Sequence, residues 1–527
     1  MTFKTHFAIF AFAIAACGGK QKTESIQGVT QVDSTSKSTP DFEFPKEPFR
    51  NSKPEASPPR SFNLPSIKQF SIDNKIDTYL VEQHDLPTVS MQLVFEGGGV
   101  LDKSKTGKAS MCMNLMTEGT QKLSTAEFNE ALADLASSIG SYANLEKQGV
   151  TMSTLTKNFD ATFGLFSETI LKPGFRKDDL KRLQKSALNR LDQTKKNAGG
   201  IAYRVVDRIL YGKRHPFGAI STPASLKSIS ISDCKKLHAK TIKPKKAKLF
   251  VVGDTNEEAV KNAFAPLLAK WKGSSLSPSK PPKPSTEKGK LFFVNVPGAA
   301  QSQILVVHFG PQRKDKDYLA NLVMTGALGN SFSSRINMNL REDKGYSYGA
   351  RGRINYNRNF GEFVAGSQVR SDSTRQSLLE IFTEIRDLKS QKRPVTIEEL
   401  NREKNGEILG LPGGFATSKA TLGQYRTLDY YGLPLDYHND YIEKVKSIGL
   451  EQVNNSAKNV LKPDNAFILV VGDKDSKQLV RNGKNDTPLL GKDGKPVTLL
   501  ASLKELLSDP LIGKGKFIEL DADGNIK

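Results

Sequence analysis

The sequence predicts an α+β fold of two similar tandem domains, each an antiparallel-rich sheet with helices on one side. The first observation behind this is an internal repeat. Val251-Val252-Gly253-Asp254 returns 219 residues later as Val470-Val471-Gly472-Asp473, and at the same offset Lys227-Ser228-Ile229 returns as Lys446-Ser447-Ile448 and Lys243-Pro244 as Lys462-Pro463. Tyr211-Gly212 returns 220 residues on as Tyr431-Gly432. Matches held in register over such a distance mark duplication of one folding unit. Second, the proline- and serine-dominated stretch 273–285 divides the folded chain nearly in half, with almost nothing in it to bury. Third, each half mixes short apolar runs bounded by turn residues with segments of helical period. A chain of 527 residues with 37% hydrophobic content has ample material for two cores.

Taken in order, residues 1–16 carry one lysine, Lys4, then an apolar run from Phe7, and close on Ile14-Ala15-Ala16-Cys17. A charged start, a short apolar core and a small-residue cleavage site followed by cysteine look like a bacterial lipoprotein signal, with Cys17 as the lipidated residue. The run is about half of the roughly 20 apolar residues that a membrane span needs. Gly18, with no aspartate after the cysteine, resembles the outer-membrane sorting pattern. The expected location is therefore the periplasmic face of the envelope, held there through the lipid anchor alone. Residues 17–65, rich in Ser, Thr, Lys, Pro and Glu, read as a disordered tether.

The first domain is expected over 66–272. Residues 77–81 and 88–95 read as strands joined by a short connection. Ser124 and Glu127 form a capping box, and Phe128, Ala131, Leu132 and Leu135 follow at helical spacing. Residues 150–155 and 248–252 read as strands, and helices begin at Phe159 and Lys177. After a linker over 273–289, the second domain, 290–475, repeats this grammar. Its strands fall at 291–296 and 303–309, one helix is carried by Leu378, Ile381, Phe382 and Ile385, and another is capped by Thr396 with Glu399. Residues 476–527 are polar apart from one apolar run, 499–507, and read as a C-terminal extension.

The formal charge is +21, densest in Lys243-Pro244-Lys245-Lys246-Ala247-Lys248. No nucleic-acid-binding motif accompanies it, and an exported chain meets no nucleic acid, so an acidic chain, acidic peptides or an anionic membrane surface fit better. Cys112 and Cys234 are the only cysteines after Cys17. They are too few for a disulfide framework, nothing in the sequence says whether they meet, and both are read as buried thiols.

Chemistry concentrates in the run from Ser333 to Gly349, which ends Leu340-Arg341-Glu342-Asp343-Lys344-Gly345-Tyr346-Ser347-Tyr348-Gly349. Its apolar spacing fixes neither helix nor strand, but its close reads as a turn into a strand. Arg341 offers a planar fork of donors suited to a peptide carbonyl or carboxylate, and Tyr348 a phenolic donor of the kind that stabilises an oxyanion. Spacing alone favours a polar helix end followed by a strand with a core tyrosine. The run closely resembles a segment in the C-terminal half of the pitrilysin/insulinase family of zinc metallopeptidases. That resemblance, which covers roughly residues 67–473, implies that Arg341 and Tyr348 act as a pair on bound peptide.

Active members of the family carry Gly-x-Ala-His-x-x-Glu-His in the first half, with Gly-Thr four residues later. Two imidazoles of that motif bind zinc, and the carboxylate takes a proton from the metal's water. Here the frame is intact, with Gly107-Lys108-Ala109 before and Gly119-Thr120 after, but Ser110 and Asn114 occupy the histidine positions and Met113 the glutamate position. The stretch 185–191, matching the family's third ligand, has no glutamate. The remaining histidines show no pair at helical spacing. No metal or other cofactor is expected in this chain.

A first half without metal ligands and a second half with an Arg/Tyr pair resemble the zinc-less subunit of two-chain members of the family. The implied partner is a homologous zinc-bearing peptidase subunit, with peptides as substrates. The alternative is a peptide-binding or scaffold lipoprotein with no catalytic role.

Overall fold

A computed structural model describes residues 47–52, 63–278, 280–482 and 485–527. The signal peptide, Cys17 and nearly all of the expected tether lie outside the described residues. Of the unit that ends at Arg60 only residues 47–52 are described, and there Pro48–Asn51 makes a single 3-10 turn. The other, Ser61–Lys527, holds two six-stranded sheets.

The first sheet is built from β1 (Lys68–Ile72), β2 (Ile76–Glu82), β3 (Thr88–Glu96), β4 (Ser138–Ala143), β5 (Lys147–Leu155) and β6 (Ala247–Gly253), in the spatial order β1-β2-β6-β3-β5-β4. The second uses β7 (Leu291–Asn295), β8 (Gln301–Gly310), β9 (Ser347–Tyr356), β10 (Gly361–Arg370) and β11 (Phe467–Gly472). Past the small hairpin of β12 (Leu479–Asn482) and β13 (Asn485–Pro488), it is completed by β14 (Phe517–Leu520), in the order β14-β7-β11-β8-β10-β9. Strand for strand the two agree. β6 runs parallel to β2 and antiparallel to β3, just as β11 runs parallel to β7 and antiparallel to β8. The repeated Val-Val-Gly closes the third strand of each order, pairing Val251 with Leu80 and Met91, and Val470 with Phe293 and Ile304. The two halves are therefore sheet-plus-helix domains of one topology.

They differ at one edge. The first sheet takes its outer strand from the N-terminal side, β1, antiparallel to β2, whereas the second takes it from the C-terminus, β14, parallel to β7. The segment after 475 is thus part of the second fold, which corrects the reading of it as an extension. Helix Leu499–Leu506 puts Leu499, Leu503 and Leu506 into the second core, and Ile512 follows them. A four-residue strand with one fully buried residue leaves too weak a pattern for sequence to register.

Each domain's own helices cover one face of its sheet. On the first, Phe163, Phe166 and Phe264 pack against Leu80, Met91 and Val251; on the second, Leu378, Ile381 and Phe382 pack with Phe293, Ile304 and Val470. The opposite faces are closed by an exchange. Helix Ala198–Tyr211 of the first half lays Ile201, Val205 and Ile209 on Phe292, Leu305 and Leu469 of the second sheet. Helix Ser418–Tyr431 of the second half lays Leu422, Tyr425 and Leu428 on Tyr79, Phe250 and Val252 of the first. These two helices end at the repeated Tyr-Gly pairs, so the duplication extends to the exchange. Strands buried on both faces are apolar without alternation, as Leu249-Phe250-Val251-Val252 is.

Where the halves meet, a cluster of charges is paired. Lys147 Nζ lies 2.7 Å from Glu96 and 3.6 Å from Asp429, while Arg358 reaches across to both oxygens of Glu96 at 3.1 and 3.2 Å. The linker is pinned rather than free, since the amides of Ser285 and Glu287 donate to the carbonyls of Tyr211 and Ile209. His215 serves the same end as a loop residue. It accepts from the Phe217 amide, stacks on Tyr211 and bonds the Pro282 carbonyl at 3.0 Å.

Candidate functional site

Arg341 stands in a turn of π-helix, Met338–Asp343, that follows a short helical start at Arg335. Such turns widen a helix locally and recur at functional sites. The amides of Gly345 and Tyr346 donate back to the carbonyls of Arg341 and Leu340, and Gly345, at φ +64°, takes the left-handed conformation that ends the turn. From Ser347 the chain enters β9, as the Gly-Tyr-Ser-Tyr-Gly run predicts. Ile336 and Leu340 are fully buried beneath the turn, and Arg341 points outward.

Tyr348 lies on the outer edge strand of the second sheet at a β-bulge. Ala350 pairs with Ser367 and Ser347 with Val369, so Tyr348 and Gly349 together oppose Gln368 alone. A bulge of this kind re-aims a side chain. Here the ring is 90% exposed, while Tyr346, two residues earlier, is the core tyrosine. Asn337 braces both pieces: its Oδ1 accepts from the Ala350 amide at 2.9 Å and its Nδ2 donates to the Phe332 carbonyl at 2.7 Å. Ser347 Oγ, shared with Ser367 Oγ at 2.6 Å, accepts from the Gly349 amide and holds the bulge shut.

The Arg341 guanidinium lies over the Phe332 ring at 4.7 Å, and its Nε is 3.3 Å from Glu342. Phe332 and Met338 are themselves exposed, so large apolar groups remain at the surface beside the Arg341 turn. Phe332 and the bulge are the features of this candidate site that sequence reasoning missed. The aromatic stands just before the run, but only the fold shows it outside the core.

Ser110, Met113 and Asn114 lie on helix Lys108–Met116, which packs against helix Lys177–Thr194. Ser110 and Asn114 line a pocket of about 200 Å³ with Ala187 and Arg190 opposite them, while Met113 is turned into the first core. A hydroxyl, an amide and a guanidinium do not fit zinc, which takes imidazole, thiolate or carboxylate donors. Among the described residues no group of three or more His, Cys, Asp or Glu could hold a metal ion.

That helix is instead held covalently. Cys112 and Cys234 form a disulfide, with Cα atoms 4.9 Å apart, joining helix Lys108–Met116 to helix Ile231–Thr241. This corrects the reading of both as buried thiols. A separation of 122 residues hid their approach from the sequence. At the helix N-terminus, buried Asp102 accepts from the amides of Gly107 and Ala109, both at 2.8 Å. The scaffold of the motif is kept rigid although its ligands are absent.

Comparison with known proteins agrees with this geometry. The insulinase (peptidase family M16) profile matches residues 78–222, and the peptidase M16 inactive-domain profile matches residues 228–407. A non-peptidase homologue, YmxG of Helicobacter pylori, is 23% identical over 399 residues, covering 73% of this chain and 89% of its own. The zinc protease PqqE of the same organism is 21% identical over 400 residues, covering 72% and 88%. Among solved structures, a peptidase M16 inactive domain from Pseudomonas fluorescens superposes with a TM-score of 0.70 at 23% identity, covering 77% of this chain and 98% of that one.

Proposed function

Because this chain belongs to the insulinase family of peptidases and lacks the family's metal ligands, we propose that it is the zinc-less subunit of a two-chain peptidase. Its partner is a homologous chain with an intact His-x-x-Glu-His. One observation carries the reading: Arg341 and Tyr348 are both left exposed, on a π turn and on a bulge whose following residue is braced by Asn337, while the first-half motif is filled by Ser110, Met113 and Asn114. A fold keeping a phenol 90% exposed on an edge strand gains no core packing from it.

In this reading the partner's His-x-x-Glu-His would hold the metal, whose chemistry when bound would be to acidify the attacking water. Arg341 holds the backbone of the peptide through its planar donors, with Phe332 behind the guanidinium limiting its rotamers. Tyr348 donates its phenolic proton to the oxygen that gains charge as the carbonyl is attacked. The chain is exported as a lipoprotein on Cys17 and works at the periplasmic face of the envelope. The Cys112–Cys234 disulfide supports export, since such bonds persist in oxidising compartments.

The test is co-expression with an exported homologue bearing the intact motif. Peptide cleavage is expected from the co-purified pair and from neither chain alone. If the zinc-bearing chain is equally active without this one, the alternative of a peptide-binding or scaffold lipoprotein replaces the proposal.

A further inference from the structure

Away from the Arg341 face, a half-open pocket of about 480 Å³ forms within the second half, where the start of helix Tyr318–Thr325 and the end of β9 meet helices Ile397–Gly410, Ser418–Tyr431 and Tyr441–Ser447. Its walls are tyrosines 318, 356, 431, 437 and 441. In it stands Arg313, whose guanidinium carbon lies 3.5 Å from the Tyr318 ring centroid, 5.1 Å from that of Tyr437 and 5.7 Å from that of Tyr431. Among the described residues Arg313 makes no side-chain hydrogen bond and no ion pair, although Asp315 and Glu407 are nearby. A guanidinium held flat by aromatic rings, with its N–H fork unspent, is arranged to take a planar anion in two parallel hydrogen bonds.

A second observation is independent of the first. His438 lines the same pocket, packed edge-on to Phe415 and Tyr437, and both its ring nitrogens are buried without a hydrogen-bond partner. A buried imidazole with neither nitrogen bonded to protein has both free for a water or a ligand group. Burial and the Arg313 charge push its pKa down to about 4, so it is neutral and presents one donor and one acceptor. Glu407, the acid of the pocket, accepts from Tyr441 Oη at 2.9 Å, and burial shifts its carboxyl upward.

We propose that this pocket binds a carboxylate-bearing ligand with an aromatic or flat apolar body, its carboxylate on Arg313, its body among the tyrosines and one polar group on His438. The C-terminal residue of a peptide and a free aromatic acid share that chemistry. The site is independent of the pairing proposed above, and its test needs no partner chain and no turnover.

The full chain is titrated calorimetrically with N-acetyl-phenylalanine, with its carboxamide, and with Gly-Gly-Phe. The acid is expected to bind saturably at one site per chain, and the carboxamide at least about ten-fold more weakly, as loss of a charge-assisted pair dictates. Arg313→Gln should abolish the preference for acid over amide, and Arg313→Lys should keep only part of it, because an ammonium lacks the planar fork. Unchanged melting of both variants shows that the site and not the fold was altered. Binding of Gly-Gly-Phe as well assigns peptide C-termini; binding of the acetylated residue alone assigns free acids. Equal affinity for acid and amide, unchanged binding by Arg313→Gln, or no saturation of any probe up to about 10 mM overturns the proposal.

Discussion

Two arginines six residues apart in one run have opposite roles, and only their surroundings say so. Arg335 donates through Nε and Nη2 to both oxygens of Glu399, at 2.7 and 2.6 Å, and through Nη2 to the Pro394 carbonyl. It is spent on the fold, and both partners are largely buried. Arg335→Ala leaves the Glu399 carboxylate uncompensated and is expected to cost about 3 kcal/mol in a denaturant titration. Arg341 is two-fifths exposed, with Glu342 as its single ion-pair partner among the described residues. Arg341→Ala should leave stability within about 0.5 kcal/mol, yet in the proposed two-chain enzyme raise KM roughly ten-fold, because that proposal puts the contact on bound peptide in ground and transition states alike. A KM equal to wild type would remove Arg341 from the binding face. Sequence identified Arg341 and Tyr348 only through a family resemblance; exposure separates Arg341 from Arg335, and Tyr348 from Tyr346.

At the scale of elements, the disulfide and the exchanged helices carry the stability. Closing a 122-residue loop restricts the unfolded chain, and the Cys112→Ser/Cys234→Ser double variant should lose about 3–5 kcal/mol. Thermal melts with and without reductant measure this, and wild type should respond to reductant where the variant does not. On helix Ala198–Tyr211, Asp207 is enclosed beside Glu362 of β10, and burial together with that neighbour's negative charge raises its pKa from 3.8 to about 7. Its folded pKa is above its unfolded one, so this stabilisation is complete below about pH 4 and lost as pH rises through about 7. Stability should fall by about 2 kcal/mol between pH 5 and pH 8 on this account, and Asp207→Asn should flatten the profile. A wild-type profile already flat over that range contradicts it. The strands and capped helices were legible because their periods are local: the boxes at Ser124/Glu127 and Thr396/Glu399 both form. The disulfide, the bulge at Tyr348 and β14 were not, because each depends on residues distant in sequence.

For the whole molecule, the duplication read from Val-Val-Gly-Asp and Tyr-Gly is present in every strand except one edge of each sheet, but repetition alone did not show how the halves join. The clue was the unbroken apolar runs of β6 and β11, which need cover on both faces, and the cover is the helix exchanged from the other half. The exchange makes the two domains one body and leaves the Arg341 and Tyr348 face on its outside, available to a second chain. The most direct test is the turnover number of Tyr348→Phe in a purified heterodimer with a zinc-bearing homologue. The change keeps the ring and removes one donor from the developing oxyanion. A fall of about 100-fold in kcat, with assembly and KM little changed, is the predicted result. Turnover equal to wild type in an intact heterodimer would mean that this chain contributes no chemistry to the active site.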